Sequence, residues 1–291
     1  MGEIVGVGLI SHAPTIMFDE AERRGLNEGK EISLVPGLVR LREEVFDRLQ
    51  PDTIVIIDSH WASTVEHILS AHEHRSGHMT SSELPRGMAG IPYDYDGDPE
   101  LAMLAAKIGD ELGTPTHATQ DDHLPVYYAT VNLVHYLHKR ERVVSVSVVQ
   151  TGEPDDFLTM GRAIGEAAAE LDRKVVVLAS GGMSHTFWPL SQLPEHEASD
   201  PVHIFTPEAR AADEQRLEWM QSGDHRRIVE TMDDYMPHNP EGGFGHYLMM
   251  LGAVGGADCV ARGELFSDYE NATGTGQVHI WFEMPDGGWT G

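Results

Sequence analysis

Cysteine is almost missing from this 291-residue chain. Cys259 stands alone, so no intrachain disulfide is available, a pattern that fits a reducing cytoplasm. Basic residues are scarce as well. Lys and Arg total 20 against 47 Asp and Glu, a net charge of −27. That balance argues against nucleic acid, whose affinity rests on phosphate neutralisation by Lys and Arg. It argues equally against an anionic membrane surface; its simplest consequence is solubility. No apolar run approaches the roughly 20 residues of a membrane span. The opening MGEIVGVGLISHAP has an early acid and no basic segment, so it reads as a first strand rather than a signal peptide. Repeats, low-complexity tracts and interdomain linkers are missing, and residues 1–291 read as a single domain. The short zinc signatures HExxH and paired CxxC are also missing.

What is present is an alternation of apolar, β-rich runs with helical patterns. EIVGVGLI (3–10), TIVIID (53–58), HILSAH (67–72), RVVSVSVV (142–149), KVVVLAS (174–180) and QVHIWFEM (277–284) read as strands. Helical spacing marks 35–50, 98–113, 126–139, 155–172, 206–221 and 245–256. Asp98 is the expected N-cap of the second of these, with Pro99 in its first turn and Gly113 as its stop. An Asp caps the helix over 155–172, and Thr206-Pro207 opens the next. The expected fold is α/β, one domain with a central mixed sheet covered by helices on both faces. In such sheets ligands bind just beyond strand ends.

Three apolar strands run into a histidine preceded by a small hydroxyl residue: Ser11-His12, Ser59-His60 and Ser184-His185. A single imidazole after a strand is ordinarily structural. Three in matching positions converge in space, as a metal site or as acid–base groups. Glu241, in HNPEGGFGHYLMM, read alone is an acid complementing a helix N-terminus. Joined to His12 and His60, it completes a two-histidine, one-carboxylate set suited to non-haem Fe(II). Zinc hydrolysis is the competing use of the same donors. Asp58 either orients a ligand histidine or caps the following turn. ATGTGQV (272–278) lacks the strand–GxGxxG–helix context of a dinucleotide loop and reads as a tight turn. Tyr93 and Tyr95 are candidates for a substrate mouth, or simply loop aromatics.

SHAP (11–14), DTIVIIDSHW (52–61), ASGGMSH (179–185) and PEGGFGHYLMMLG (240–252) resemble the class III extradiol ring-cleaving dioxygenases, the superfamily of the protocatechuate 4,5-dioxygenase catalytic subunit. The resemblance spans nearly the whole chain. TSSELPRGMAGIPYDYDGDPEL (80–101) and GELFSDYENATGTGQV (263–278) are similar to the single-subunit branch typified by homoprotocatechuate 2,3-dioxygenase. The resemblance implies that His12, His60 and Glu241 ligate Fe(II), with Mn(II) as the alternative, and that His185 is the acid–base residue. It implies meta cleavage of a catechol by O2 to a hydroxymuconic semialdehyde, with 3,4-dihydroxyphenylacetate as the expected substrate. Another catechol or 2-aminophenol is the close alternative, and a non-redox scaffold of the same fold the distant one. It also implies a homo-oligomer.

One departure stands out. Where several members carry a pocket histidine, this chain has Tyr128. Tyr128 can donate a hydrogen bond but is a poor base. Tyr128, His123 and His246 are expected to face the substrate, and Tyr128 to share in catalysis. Arg75 and Arg86 are candidates, by charge and loop position alone, to pair with a substrate carboxylate.

Overall fold

The computed structural model describes residues 2–291. In chain order its strands are β1 (Glu3–Ile10), β2 (Thr53–Ser63), β3 (His67–Ser70), β4 (His74–Met79), β5 (Ile91–Asp96), β6 (Thr116–Thr119), β7 (Arg142–Val149), β8 (Lys174–Ser180), β9 (Gly263–Leu265), β10 (Glu270–Ala272), β11 (Thr275–Gln277) and β12 (His279–Glu283). The α-helices are α1 (Glu20–Leu26), α2 (Leu34–Arg40), α3 (Asp47–Leu49), α4 (Pro99–Leu112), α5 (Tyr128–Leu137), α6 (Pro154–Glu170), α7 (Pro207–Ser222), α8 (His225–Glu230), α9 (Met232–Tyr235) and α10 (Gly245–Gly252). One eight-stranded sheet runs β6-β3-β7-β2-β8-β1-β12-β9. Its centre, β7-β2-β8-β1, is parallel; β12 and β9 add antiparallel strands at one side.

The central strands are apolar on both faces because helices cover both faces. Ile54 and Ile56 of β2 point to the side packed by α2 and α5. Val55 and Ile57 point to the side packed by α4, α6 and α10. This is the two-residue alternation of a strand. Each such buried side chain contributes about 1.5–3 kcal/mol relative to exposure.

The expected α/β class and mixed sheet are what the structure shows. Several details differ. The helix over 155–172 has Glu153, not an Asp, at its N-cap; the Glu153 amide donates to Asp156 Oδ2 at 2.9 Å in a capping box. Strands β4 and β5 form an antiparallel ribbon that no local pattern marks, since its polar residues show no clean alternation. ATGTGQV does hold a tight turn: Thr273 and Gly274, both at positive φ, join β10 to β11.

Candidate metal centre

Strands β2, β8 and β1 are parallel neighbours, and their register sets the site. Asp58 and Ile10 both pair with Ser180, so the three strands reach one level together. His12 and His60 follow two residues beyond that level, and His185 five beyond it.

His60 does not sit on a strand end. Against β7, Asp58 lies opposite Ser147 and Ala62 opposite Val148. Ser59, His60 and Trp61 are therefore looped out of a strand that continues to Ser63, a bulge that re-aims side chains. Asp58 builds the bulge. Its Oδ1 accepts the amides of His60 and Trp61, each at 3.0 Å. Its Oδ2 accepts the Thr130 amide at 2.9 Å and hydroxyl at 2.6 Å, in the first turn of α5. Of its two expected roles, capping the turn is the one the contacts support.

His12 Nδ1 lies 3.0 Å from Ser180 Oγ, whose own proton goes to the Ala129 carbonyl at 2.9 Å. A hydroxyl has one proton, so Nδ1 must donate and Nε2 keeps its lone pair. That Nε2 faces Glu241 Oε1 at 3.4 Å. Burial lowers the His12 pKa to about 3 against the pull of Glu241, so the ring is neutral at neutral pH.

His60 is arranged alike. Its Nδ1 lies 3.0 Å from Glu83 Oε1, and a carboxylate only accepts, which leaves Nε2 as the open nitrogen. Nε2 lies 3.4 Å from Glu241 Oε1 and 2.6 Å from the Tyr128 hydroxyl. Burial depresses the His60 pKa, but Glu83 and Glu241 outweigh it and raise it overall.

Glu241 is presented by a turn in which Gly242 and Gly243 hold φ of 55° and 63°, the left-handed region that glycine adopts without strain. Ser59 Oγ donates to its Oε1, and the Gly182 amide to its Oε2 at 2.5 Å. Gly182 must be glycine for packing reasons, since a Cβ there would meet Gln277 Nε2 at 2.6 Å and Gly276 O at 2.8 Å. Burial pushes the Glu241 carboxyl up, but His185, His12 and His60 hold it well below the usual range. His185 Nδ1 lies 3.4 Å from Glu241 Oε2 and makes no hydrogen bond among the described residues. Its ring edge meets Phe187.

Donor atoms of His12, His60 and Glu241 lie within 4.8 Å of one another. Two imidazoles, each with Nδ1 engaged from behind and Nε2 turned toward one ionised carboxylate, are a donor set that fits a divalent metal. The site thus gathers His12, His60, Glu241, His185 and Tyr128 from five separate chain segments.

Other expected residues fall elsewhere. His123 sits on an exposed turn, its amide bonded to Asp121, with no contact to this group among the described contacts. His246 is fully buried beneath Gly181-Gly182; its Nε2 donates to the Gly182 carbonyl at 3.1 Å, and burial lowers its pKa to about 4. It supports the turn that holds Glu241 rather than facing an opening. Arg75 is buried, its guanidinium engaged by His72 and the Leu124 carbonyl, whereas Arg86 is exposed on the loop between β4 and β5. Tyr95 is core, packed with the cluster under α5. Glu83 and Ser180 carry no signal in the sequence, because nothing local links them to histidines 23 and 168 residues away. Two surface clefts of about 580 and 520 Å³ lie around the ends of the strands opposite this centre, lined by residues such as Asp98, Arg142 and Arg173.

The chain is 28% identical over 263 residues to a 3,4-dihydroxyphenylacetate 2,3-dioxygenase of Escherichia coli, covering 88% of this chain and 91% of that protein. It is 21% identical over 246 residues to a 2-aminophenol 1,6-dioxygenase beta subunit of a Pseudomonas species, covering 81% and 80%. The fold matches a crystal structure of an uncharacterized Escherichia coli K12 protein, JW3007, with a TM-score of 0.58 at 17% identity, over 95% of this chain and 99% of that one. Residues 6–283 match the family model described as the catalytic LigB subunit of aromatic ring-opening dioxygenase, and with its histidines and glutamate gathered at one end of the sheet, this chain belongs to that family of extradiol dioxygenases.

Proposed function

We propose that this enzyme performs meta cleavage of a catechol with O2, holding Fe(II) on His12, His60 and Glu241. The observation that carries the reading is the convergence of these three donors with His185 against the same carboxylate. The favoured substrate is 3,4-dihydroxyphenylacetate, supported by the name of the Escherichia coli relative. The Pseudomonas relative keeps 2-aminophenol as the second candidate. A divalent iron held by these residues would supply Lewis acidity and redox capacity toward O2.

The chain's own residues do the rest. Ser180 and Glu83 hold the two imidazoles with Nε2 forward. Ser59 and Gly182 hold the carboxylate. His185, whose ring lies against Glu241 with Nδ1 3.4 Å from Oε2, takes a proton from a substrate hydroxyl and returns it as the ring opens, general acid–base work of the kind an imidazole performs. Burial first, then Glu83, raises the Tyr128 pKa well above the ordinary phenol range. Tyr128 thus keeps its proton and donates a hydrogen bond at the site rather than acting as base. Both atoms of O2 end in the ring-opened product, so no external reductant is consumed. A cytoplasmic location and a homo-oligomer belong to the same reading; the single, buried cysteine supports the first.

The test is O2 uptake and appearance of the yellow ring-opened product after anaerobic loading with Fe(II). Uptake with 3,4-dihydroxyphenylacetate supports the full reading. Uptake with 2-aminophenol or another catechol alone keeps the chemistry and discards the substrate. No uptake with any of them, in protein shown to hold iron, rejects it.

A further inference from the structure

Among the buried carboxylates outside the metal donors is Asp213, in the middle of α7 and fully buried. It accepts from three directions. Ser184 gives both its amide, at 3.1 and 3.2 Å, and its hydroxyl, at 2.7 Å. Tyr235 and Tyr269 each give a phenol proton at 2.6 Å. No Lys or Arg forms an ion pair with it among the described residues; Arg216 instead lies over the Tyr235 ring, 3.8 Å from its centre.

The backbone of residues 183–185 shows what this carboxylate does. Met183 donates to Gly276 O at 2.8 Å and accepts from the Glu241 amide at 3.0 Å. Ser184 O accepts from the Gly276 amide at 2.9 Å. His185 donates to Asn239 O at 3.0 Å and accepts from Asn239 Nδ2 at 2.7 Å. Five of the six backbone groups are thus held by the β10–β11 turn region or by residues 239–241. The sixth, the Ser184 amide, has Asp213 as its partner. Buried amides left unpaired are costly. The segment pairs Ser184 with Pro240 as an antiparallel bridge, and neighbouring side chains of extended backbone point to opposite sides. Pulling Ser184 toward Asp213 therefore turns His185 the other way, toward Glu241.

We propose that Asp213 is a positioning residue for catalysis: by gripping Ser184 from behind it fixes the short extended segment that aims His185 and anchors the Glu241 amide. The inference rests on the reading of His185 as the proton-handling group.

The test compares wild type, Asp213→Asn and Ser184→Ala, each loaded with Fe(II), with kcat expressed per bound iron. An amide offers one acceptor atom where the carboxylate offers two, so Asp213→Asn leaves a donor facing a donor. Expected is a fall in kcat of about 10- to 100-fold for Asp213→Asn and a smaller fall of the same kind for Ser184→Ala, as small misplacements near the chemistry produce. KM should stay within about threefold in both, because substrate binding is not the loss. A purely structural Asp213 would lower the yield and the melting temperature while leaving kcat per iron and KM unchanged; that result overturns the inference. Should Asp213→Asn fail to fold, Ser184→Ala decides on the same criterion. If wild type itself cleaves no catechol, the proposed function falls and this inference with it, whereas an active wild type with unaltered variants rejects Asp213 alone.

Discussion

The two ends of the central sheet treat buried carboxylates differently. At the end where the parallel strands begin, Asp98 is fully buried and paired with a fixed cation. It accepts the Thr53 hydroxyl at 2.7 Å and the Leu101 amide at 3.3 Å, and lies 3.3 Å from Arg173. Glu141, nearby, meets Arg42 at 2.6 Å. At the end where the strands finish, Glu241 meets three imidazoles, one hydroxyl and one amide, and no Lys or Arg among the described residues. A buried carboxylate matched by a guanidinium has its charge answered within the chain. One that meets only imidazoles, a hydroxyl and an amide has no fixed cation to answer its charge, and buried charges ordinarily pair or coordinate metals. The difference separates a structural end from a chemical end.

Variants at the two ends can break that contrast. The largest effect is expected from Glu241→Gln, which removes the negative donor. Bound iron per chain should drop, and ring cleavage should fall by about three orders of magnitude or more, as losses of a core catalytic group do. Elemental analysis beside O2 uptake checks it; full iron content in the variant would show that Glu241 is not a ligand. Next comes His185→Ala, expected to lower kcat by about 10²- to 10⁴-fold with iron content unchanged. A single-turnover measurement at saturating substrate separates this from weaker binding.

Glu83→Gln sharpens the comparison within the chemical end. An amide holds the His60 ring less firmly, so metal affinity should weaken by about 10- to 100-fold, read by competition with a chelator. An unchanged dissociation constant would mean that the contact is incidental. Asp98→Ala tests the structural end. Losing a helix cap and the partner of a buried hydroxyl should destabilise the chain by about 2–4 kcal/mol, measured by urea denaturation, with kcat per iron intact. A loss of kcat there would erase the distinction between the ends.

The smallest effect concerns Glu270, whose Oε1 accepts the Ser33 amide while Oε2 has no hydrogen-bond partner among the described residues. Burial pushes its pKa up to about 7. A carboxyl with a raised folded-state pKa binds its proton more tightly folded than unfolded. Its contribution is present below the unfolded value and lost as pH rises through about 7. Glu270→Gln should therefore gain about 1–2 kcal/mol over wild type at pH near 8 and nothing at pH near 4.5. Equal differences at both pH values would show that Glu270 ionises freely in the folded chain.

Much of this was legible in the sequence, for local reasons. Alternating apolar residues in TIVIID, and Asp98, Pro99 and Gly113 around one helix, specify their elements through neighbours a few residues away. The hydroxyl–histidine pairs after three strands and the acid before an apolar helix mark the donors, because chemistry of this kind needs those side chains on rigid elements. The resemblance to ring-cleaving dioxygenases is what suggests roles for them, and the family match bears out the resemblance itself.

Tertiary structure alone decided the rest. Parallel order β2-β8-β1 brings Ile10, Asp58 and Ser180, the residues that lead into His12, His60 and His185, to one level, and strand order is not written in any single strand. The bulge at Ser59–Trp61 exists because Asp58 finds donors in its own turn and in α5. The tautomers depend on Ser180 and Glu83, and the aim of His185 on Asp213, partners that lie 23 to 168 residues from the histidines they serve. Local pattern selects which side chains are available at strand ends. Only folding chooses their hydrogen-bond partners, because those partners become neighbours when the buried polar groups of distant segments must satisfy one another.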